Sequence, residues 1–394
     1  MRVILSGALV MAVLCTYSCA LDRTASVPNV TTKVVSRGRA PVGSFGYWYM
    51  RAVAIAGSRG QFLAVPAEDA ICLLRTRDTL LVRVDSILLC DTTFAFEISP
   101  GSAMHKRKAF WTDGDIDSDG SDELVVALDT LVLVYRRVNL TFVPETATLP
   151  KAVRQMVVGD IDNDGRNEFI ACCDSTTNGR WREGVAGMEY CIYVCRLVGN
   201  KLHILWTDNA KLGFGEPNMP DYFWSVADFQ NLGHNQLLVT RSQSDVSPTV
   251  YDLLEWSGND SGLSRQASFL LSDTVVPAAS RVWDIYPYAI GRMQPLRTDL
   301  GTLVMVEVGD TGTSSAGDCG TVFRQRLLRF TGGAVTSFGD VWYRDYPHCS
   351  NFYGTLDPDG RGAGIIYIWL TDPLNCYFEL RRVGVSRPQQ KKVR

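Results

Sequence analysis

Short apolar runs alternate with polar turns along the chain from about residue 45 to its end. The runs are rich in β-branched residues, as in "LVVALDTLVLVY" from Leu124, and most of them are too short to form a helix. Apolar positions at helical spacing are nearly absent. The pattern therefore predicts an all-β protein built from many short strands.

One polar turn occurs twice in nearly the same form, as "GDIDSDGSDELVV" over residues 114–126 and "GDIDNDGRNEFIA" over residues 159–171. In both copies, acids occupy positions 1, 3, 5 and 9 of the turn, and glycine at position 6 permits a tight curl. Close carboxylates repel one another without a cation, and hard oxygen ligands suit Ca²⁺. We therefore predict two calcium loops, loop 1 (residues 115–123) and loop 2 (residues 160–168).

The predicted ligands are the acids of each loop and one backbone carbonyl near position 7. They are Asp115, Asp117, Asp119, Ser121 and Glu123 in loop 1, and Asp160, Asp162, Asp164, Arg166 and Glu168 in loop 2. An EF-hand would need flanking helices and a glutamate at position 12, but Val126 and Ala171 stand there. Acidic turns without metal are the other alternative, because aspartate and glycine favour turns. Two copies with identical ligand spacing argue against it.

Weaker copies of the same element recur along the chain, each an apolar lead-in, a polar turn and a strand. They begin at Ala54, Val226, Ala289 and Tyr353, which makes six copies with the two strong ones. Their spacing suits four-stranded units, and such units in sequence predict a β-propeller. Strands from "NVTTKVVSR" and "YFELRRVGV", at the two ends of the chain, would close the ring by pairing, which removes exposed sheet edges.

The "GDIDxDGxxE[LF]" element resembles the FG-GAP or VCBS repeat of integrin-α-type β-propellers. The resemblance implies six or seven four-stranded blades, calcium within a blade, an extracellular binding role and a bacterial source. The weaker copies depart from the repeat: Asp228 keeps position 1, but Gln230 and Leu232 replace the next two acids. Asp357 and Asp359 keep only positions 3 and 5 of their copy. We therefore assign Ca²⁺ to two blades only.

The N-terminus, "MRVILSGALVMAVLCTYSCA", has one positive charge, a short apolar stretch and then small residues, which is typical of an export signal. Cleavage near Ala20 is expected, with a lipid anchor at Cys19 as the alternative. No other apolar run reaches the roughly 18 residues that a spanning helix needs, so no transmembrane span is predicted. The predicted organisation is a signal peptide (1–20), a linker with the first strand (21–44), the propeller (45–385) and a basic tail (386–394).

Charge and cysteine content bear on partners and compartment. A net charge of −3 and a pI near 5.9 give no basic surface for nucleic acid. An exported chain is expected to contain disulfides. The pairs considered are Cys72 with Cys90, Cys319 with Cys349, and local bridges among Cys172, Cys173, Cys191 and Cys195. A zinc site at the last four is the alternative, although their spacing fits it poorly, and the connectivity stays open.

No motif of an active site is found: the four histidines lie outside any H-E-x-x-H pattern, and no G-x-S-x-G elbow occurs. We therefore predict no catalytic residues and a monomeric, non-catalytic scaffold that binds an extracellular protein or glycan. Its place would be extracellular, periplasmic or on the outer cell surface. Insertions at residues 179–190 and 213–225 mix aromatic and charged side chains and either contact that partner or only pack over the propeller. A calcium-dependent polysaccharide lyase or hydrolase is the alternative function.

Overall fold

The computed structural model describes a large part of the 394-residue chain. The described residues are 29–39, 51–54, 61–66, 69–77, 80–91, 93–95, 107–138, 141–174, 190–199, 201–208, 224–241, 250–258, 260–270, 294–298, 300–310, 322–332, 334–345, 351–356, 364–372 and 375–386. Their regular structure is all β, and it forms several antiparallel sheets of four strands. The all-β prediction is confirmed.

The first antiparallel meander follows strand β1 (Asn29–Arg39), which pairs mainly with the last strand of the chain. The strands of this meander are β2 (Arg51–Ala54), β3 (Gln61–Pro66), β4 (Ala70–Arg77) and β5 (Leu80–Leu88). Strands β2 to β5 pair in chain order. Strand β1 touches β5 through one parallel bridge, between Arg39 and Leu80, so its main partner lies at the other end of the chain.

The second sheet carries loop 1. After the short parallel pair β6 (Phe94–Ala95) and β7 (Arg107–Lys108) come β8 (Phe110–Gly114), β9 (Glu123–Leu128), β10 (Leu131–Val138) and β11 (Thr141–Thr148). The order of the sheet is β11-β10-β9-β8. Every residue of β9 is buried, while β11 is largely exposed, so the apolar run from Leu124 forms the centre of the sheet.

The third and fourth sheets repeat this arrangement. The third contains β12 (Val153–Gly159), β13 (Glu168–Asp174), β14 (Tyr190–Val198) and β15 (Lys201–Asp208), and it carries loop 2. The fourth contains β16 (Trp224–Ala227), β17 (Gln236–Arg241), β18 (Val250–Trp256) and β19 (Leu263–Leu270). In both sheets the strands pair in chain order, so each is an up-and-down meander.

The last strands complete the sequence of sheets and join the two ends of the chain. The fifth sheet contains β20 (Gln294–Thr298), β21 (Gly301–Asp310), β22 (Val322–Thr331) and β23 (Ala334–Asp345), and β24 (Asn351–Leu356), β25 (Gly364–Asp372) and β26 (Asn375–Ser386) follow. Strand β1 pairs antiparallel with β26 from Asn29 opposite Ser386 to Arg39 opposite Tyr377. The predicted pairing of the chain ends is confirmed.

The sheets pack against one another through their first strands. Strand β8 contacts β12, β12 contacts β16, β16 contacts β20, β20 contacts β24, and β2 contacts both β24 and β8. Apolar side chains fill the space between sheets from both faces of a strand: Leu237 joins the core towards the third sheet, and its neighbour Leu238 joins the core towards the fifth. This packing is compatible with a β-propeller.

The cysteines correct one expectation. The six that the structure describes, Cys72, Cys90, Cys172, Cys173, Cys191 and Cys195, are thiols with no disulfide among them. Strand pleating separates the local group, because Cys172 packs towards the fourth sheet while Cys173, Cys191 and Cys195 pack on the opposite face. A zinc site of all four is therefore wrong. Cys72 lies opposite Ser86 and not near Cys90 in the strand register, and the pair Cys319 and Cys349 lies outside the described residues.

Candidate metal loops

Loops 1 and 2 occupy the same place in consecutive sheets. Each connects the first strand of its sheet to the second, loop 1 from β8 to β9 and loop 2 from β12 to β13. Position 4 has a left-handed backbone in both, with φ of 62° at Ser118 and 61° at Asn163. Position 6 is left-handed too, with φ of 89° at Gly120 and 88° at Gly165, which glycine adopts without steric penalty. The two loops therefore share one tightly curled backbone.

The curl brings carboxylates together. One oxygen from each of Asp115, Asp117 and Glu123 lies within 4.8 Å of the others, and Asp160, Asp162 and Glu168 form the same arrangement. The two glutamates at position 9 are buried, and each accepts a 3.1 Å hydrogen bond from the backbone N–H at position 2 of its loop. Six of the ten predicted ligands thus form two matched groups.

The other four predicted ligands lie at the solvent side of the loops. Asp119 and Asp164 are exposed, and the Oδ1 atom of each accepts a hydrogen bond from the backbone N–H of Ser121 (2.8 Å) and Arg166 (2.9 Å), respectively. Neither carboxylate belongs to the groups within 4.8 Å. These contacts hold position 5 over the curl, and the ligand role of all four residues stays a prediction.

The buried carboxylates fit a cation on physical grounds. Burial raises the pKa of Glu123 to about 8, and the nearby negative charge of Asp117 adds to the rise. In loop 2, the Oδ1 atom of Asp160 is buried and has no hydrogen-bond partner. A buried carboxylate oxygen without a partner is unfavourable, and a metal ion would supply the missing charge and contact. The donor set is all oxygen, so the two loops could hold a metal ion.

In the second and third sheets an arginine from the third strand approaches the loop, which the sequence analysis did not predict. Arg136 of β10 lies 2.8 Å from Asp117 Oδ2 (Nη1). Arg196 of β14 forms ion pairs with Asp162, Asp164 and Glu168. Both follow directly on the buried run of their strand, as "LVLVYR" and "CIYVCR", and that shared ending is the signal that sequence reasoning missed.

A third loop, loop 3 (residues 228–236, between β16 and β17), has the same left-handed positions but keeps only the first of the four acids. Its left-handed residues are Asn231 and Gly233, and Asp228 accepts hydrogen bonds of 2.8 Å from the backbone N–H groups of Leu232 and Gly233. The side-chain amide of Gln236 donates to Gln230 (2.8 Å) and to Glu255 (2.7 Å). An uncharged amide thus stands where the carboxylates of loops 1 and 2 converge.

Asparagines join the loops of neighbouring sheets. Asn167 of loop 2 donates a 2.7 Å hydrogen bond to the backbone carbonyl of Asp115 in loop 1. Asn235 of loop 3 donates one of the same length to the carbonyl of Asp160 in loop 2. Asn231 in turn accepts a bond from the backbone of Thr302 in the fifth sheet. The loops therefore form one hydrogen-bonded series along one side of the sheets.

Several predicted features lie outside the described residues. These are the signal peptide with Cys19, the basic tail after Ser386, the turns of the copies that begin at Ala54 and Tyr353, the first residues of the copy that begins at Ala289, and most of the two insertions. Of the insertions, the structure describes Tyr190 in β14 and Trp224 with Ser225 in β16. Within the described part of the chain, no helix is long and apolar enough to span a membrane.

Comparison with known proteins gives structural neighbours only. No protein-family model and no curated protein matches the chain. The crystal structure of BBS1N in complex with ARL6DN is 12% identical with a TM-score of 0.46, over 94% of this chain and 99% of that one. YjhT is 9% identical with a TM-score of 0.43, over 86% and 99%. The WD40 domain of coronin from Toxoplasma gondii is 10% identical with a TM-score of 0.42, over 92% and 88%.

These neighbours include β-propeller-like folds. At TM-scores below 0.5 they add nothing to what the sheets of this chain already show. The resemblance to the FG-GAP or VCBS repeat, and the bacterial source that it implies, therefore stay predictions that depend on the loop motif alone.

Proposed function

We propose that this chain is an exported, monomeric β-propeller that binds an extracellular protein or glycan without catalysis, and that Ca²⁺ in loops 1 and 2 stabilises it. The observation that carries the proposal is the pair of matched carboxylate groups at the same place in consecutive sheets. Acidic turns that only face solvent would not need a buried glutamate at the same position twice. Glu123 and Glu168 are both buried.

Six blades are proposed in place of six or seven. Five meanders have four strands each, and β24 to β26 gain a fourth strand from β1. The contacts between first strands run from sheet to sheet and return from β24 to β2. In a closed ring of this kind the first strand of every sheet is covered by its neighbours. The loops at the rim can therefore be presented on a rigid frame. Such a frame supports recognition of a partner.

Calcium is proposed as the ion because of the donor atoms. The two groups offer carboxylate oxygens only, and Ca²⁺ takes six to eight oxygen ligands with flexible geometry. Zinc in proteins favours nitrogen and sulfur donors in a tetrahedral arrangement. The chemistry that Ca²⁺ supplies is structural: its charge offsets the repulsion among the acids and allows each loop to join its two strands without strain.

Removing calcium is expected to lower the thermal stability of the protein. Extracellular sites of this class bind with dissociation constants of about 10⁻⁴ to 10⁻³ M. At ten times that concentration one site contributes about 1.4 kcal/mol and two independent sites about 2.8 kcal/mol to the free energy of unfolding. The double variant Asp117→Ala and Asp162→Ala should lose most of this gain. The measurement is thermal unfolding in calcium and in chelator.

Gln230→Ala is the matched control, because Gln230 occupies in loop 3 the position of Asp117 and Asp162. This variant should keep the full difference between calcium and chelator. Equal midpoints for the wild type in calcium and in chelator would show that the loops are acidic turns, and the metal assignment would then be dropped.

A partner is expected to bind without being altered. The mature chain, probed in calcium on arrays of extracellular glycans and proteins, should retain a defined ligand class, and the ligand should be recovered intact. Uronate-containing polysaccharides incubated with the protein should keep their chain length. A fall in chain length, or the appearance of unsaturated sugar products, would contradict a non-catalytic scaffold and favour the lyase alternative.

A further inference from the structure

Arg196 lies inside the carboxylate group of loop 2. Its Nη2 atom is 2.9 Å from Asp162 Oδ2, its Nη1 atom is 3.0 Å from Asp164 Oδ2, and its Nε atom donates a 3.0 Å hydrogen bond to Glu168 Oε1. The guanidinium thus contacts three of the four acids of the loop with separate N–H groups. Charge-assisted hydrogen bonds of this kind are about twice as strong as neutral ones.

Arg136 occupies the equivalent place in the second sheet but makes a different set of contacts. It lies 2.8 Å from Asp117 Oδ2, and its other ion pair, at 3.7 Å, is with Glu145 of β11, outside the loop. Among the ion pairs of the described residues, those of Arg136 do not include Glu123 or Asp119. In loop 2 the corresponding acids, Glu168 and Asp164, are both bound by Arg196.

The strand register shows that Arg136, Arg196 and Glu255 occupy equivalent positions in the second, third and fourth sheets. Arg136 follows Tyr135, which lies opposite Leu124, and Arg196 follows Cys195, which lies opposite Phe169. Each arginine therefore lies across from the glutamate at position 9 of its loop. In the fourth sheet the same positions hold Gln236 and Glu255. There a neutral glutamine replaces the glutamate of the loop and a glutamate replaces the arginine, and the side-chain amide of Gln236 donates to both Gln230 and Glu255.

We propose that Arg196 is a built-in counter-cation of loop 2, so that loop 1 is the stronger calcium site and loop 2 takes calcium only when the guanidinium withdraws. The inference deepens the proposed function and rests on it. Positive charge within the carboxylate group lowers the attraction for a second cation, and the three oxygens that Arg196 occupies must exchange one partner for another. Asp160 Oδ1, buried and without a partner, is the oxygen that the guanidinium does not reach.

Calorimetric titration of the chelated, mature full chain with CaCl₂ tests the inference. To isolate loop 2, the titration uses proteins in which Asp117→Ala disables loop 1. In that background Arg196→Gln should raise the calcium affinity of loop 2 by about tenfold or more, because charge-assisted contacts no longer compete with the ion. The matched control is Arg136→Gln in an Asp162→Ala background, where the gain at loop 1 should be clearly smaller.

A second arm needs no calcium. In chelator, Arg196→Gln should lower the unfolding midpoint more than Arg136→Gln, because three acids lose their counter-charge and not one. Arg196→Lys retains the positive charge but lacks the planar guanidinium that contacts several acids at once. If Arg196→Gln does not fold, the lysine variant should still fold. Its calcium affinity should lie between those of the wild type and of Arg196→Gln.

The outcomes separate the inference from the proposed function. An absence of calcium binding in the wild type and in every variant would overturn the proposed function. Calcium binding that Arg196→Gln leaves unchanged or weakens at loop 2 would overturn the role of Arg196 alone. Equal midpoints in chelator for the wild type and Arg196→Gln would also overturn it.

Discussion

Removal of strand β1 is expected to abolish the cooperative unfolding transition of the wild type or to drive the chain into oligomers. Strand β1 supplies the fourth strand of the last sheet and pairs along its length with β26. At about 1 kcal/mol for each ladder hydrogen bond, the loss would be about 5 kcal/mol or more. That is comparable with the whole stability of an ordinary domain, about 5–15 kcal/mol.

Burial adds to the expected loss. Strand β26 places Phe378, Leu380 and Val383 in the core. Arg37 of β1 also forms a 3.0 Å ion pair with Glu379, whose side chain is largely buried. Without β1, the edge of β26 would present free backbone groups to other chains, which favours aggregation.

The comparison uses two truncated chains, one starting at residue 40 and one starting at residue 29, so that the control keeps β1 and lacks only what precedes it. Chemical denaturation and light scattering measure stability and association. The same midpoint and the same monomeric state in both proteins would show that pairing of β1 with β26 does not stabilise the fold.

Sequence reasoning succeeded where the information is local. The spacing of Asp115, Asp117 and Glu123 predicted that their carboxylate oxygens converge, because a tightly curled loop of nine residues can place these side chains in few ways. The glycine at position 6 fixed the curl in both strong copies. The pairing of the chain ends was also predictable, since a strand candidate precedes the first repeat and another ends the last one, and pairing them removes exposed sheet edges.

Sequence reasoning did not find contacts that depend on strand register. Arg136 and Arg196 lie across from equivalent glutamates, but the number of residues between glutamate and arginine differs because the connection between β13 and β14 is longer. The bond from Asn167 to Asp115 joins two different repeats and leaves no pattern within either. The structure has no disulfide among the local cysteines, and Cys172 lies on the opposite face of the sheet from the other three because successive side chains of a strand alternate.

The glycine before the first aspartate of each strong loop is expected to be essential for packing between sheets. A Cβ atom added at Gly159 would lie 2.6 Å from Val226 Cβ, and one added at Gly114 would lie 2.6 Å from Val158 Cγ1. Both valines belong to the first strand of the next sheet, so the "GD" of the motif marks a point of close approach between two sheets. In the fourth sheet the same position is the buried Ala227.

Alanine at both glycines should therefore lower the free energy of unfolding by roughly 2–6 kcal/mol, at about 1–3 kcal/mol for each overpacked position. The sign of the change in unfolding free energy for Gly159→Ala tests the contact, because the backbone of Gly159 lies outside the left-handed region and alanine there is not strained by its own conformation. Without a close contact, alanine there would stabilise the protein by about 0.4–1 kcal/mol, because it lowers the conformational entropy of the unfolded chain.

Urea denaturation of the single and double variants measures these changes. Adding Val226→Gly to Gly159→Ala removes Val226 Cβ and both of its methyl groups, which lie 2.6, 2.8 and 3.1 Å from the added Cβ, so the combined loss should be smaller than the sum of the separate losses. A stabilising Gly159→Ala, or strict additivity with Val226→Gly, would contradict the close approach of the third and fourth sheets at this point.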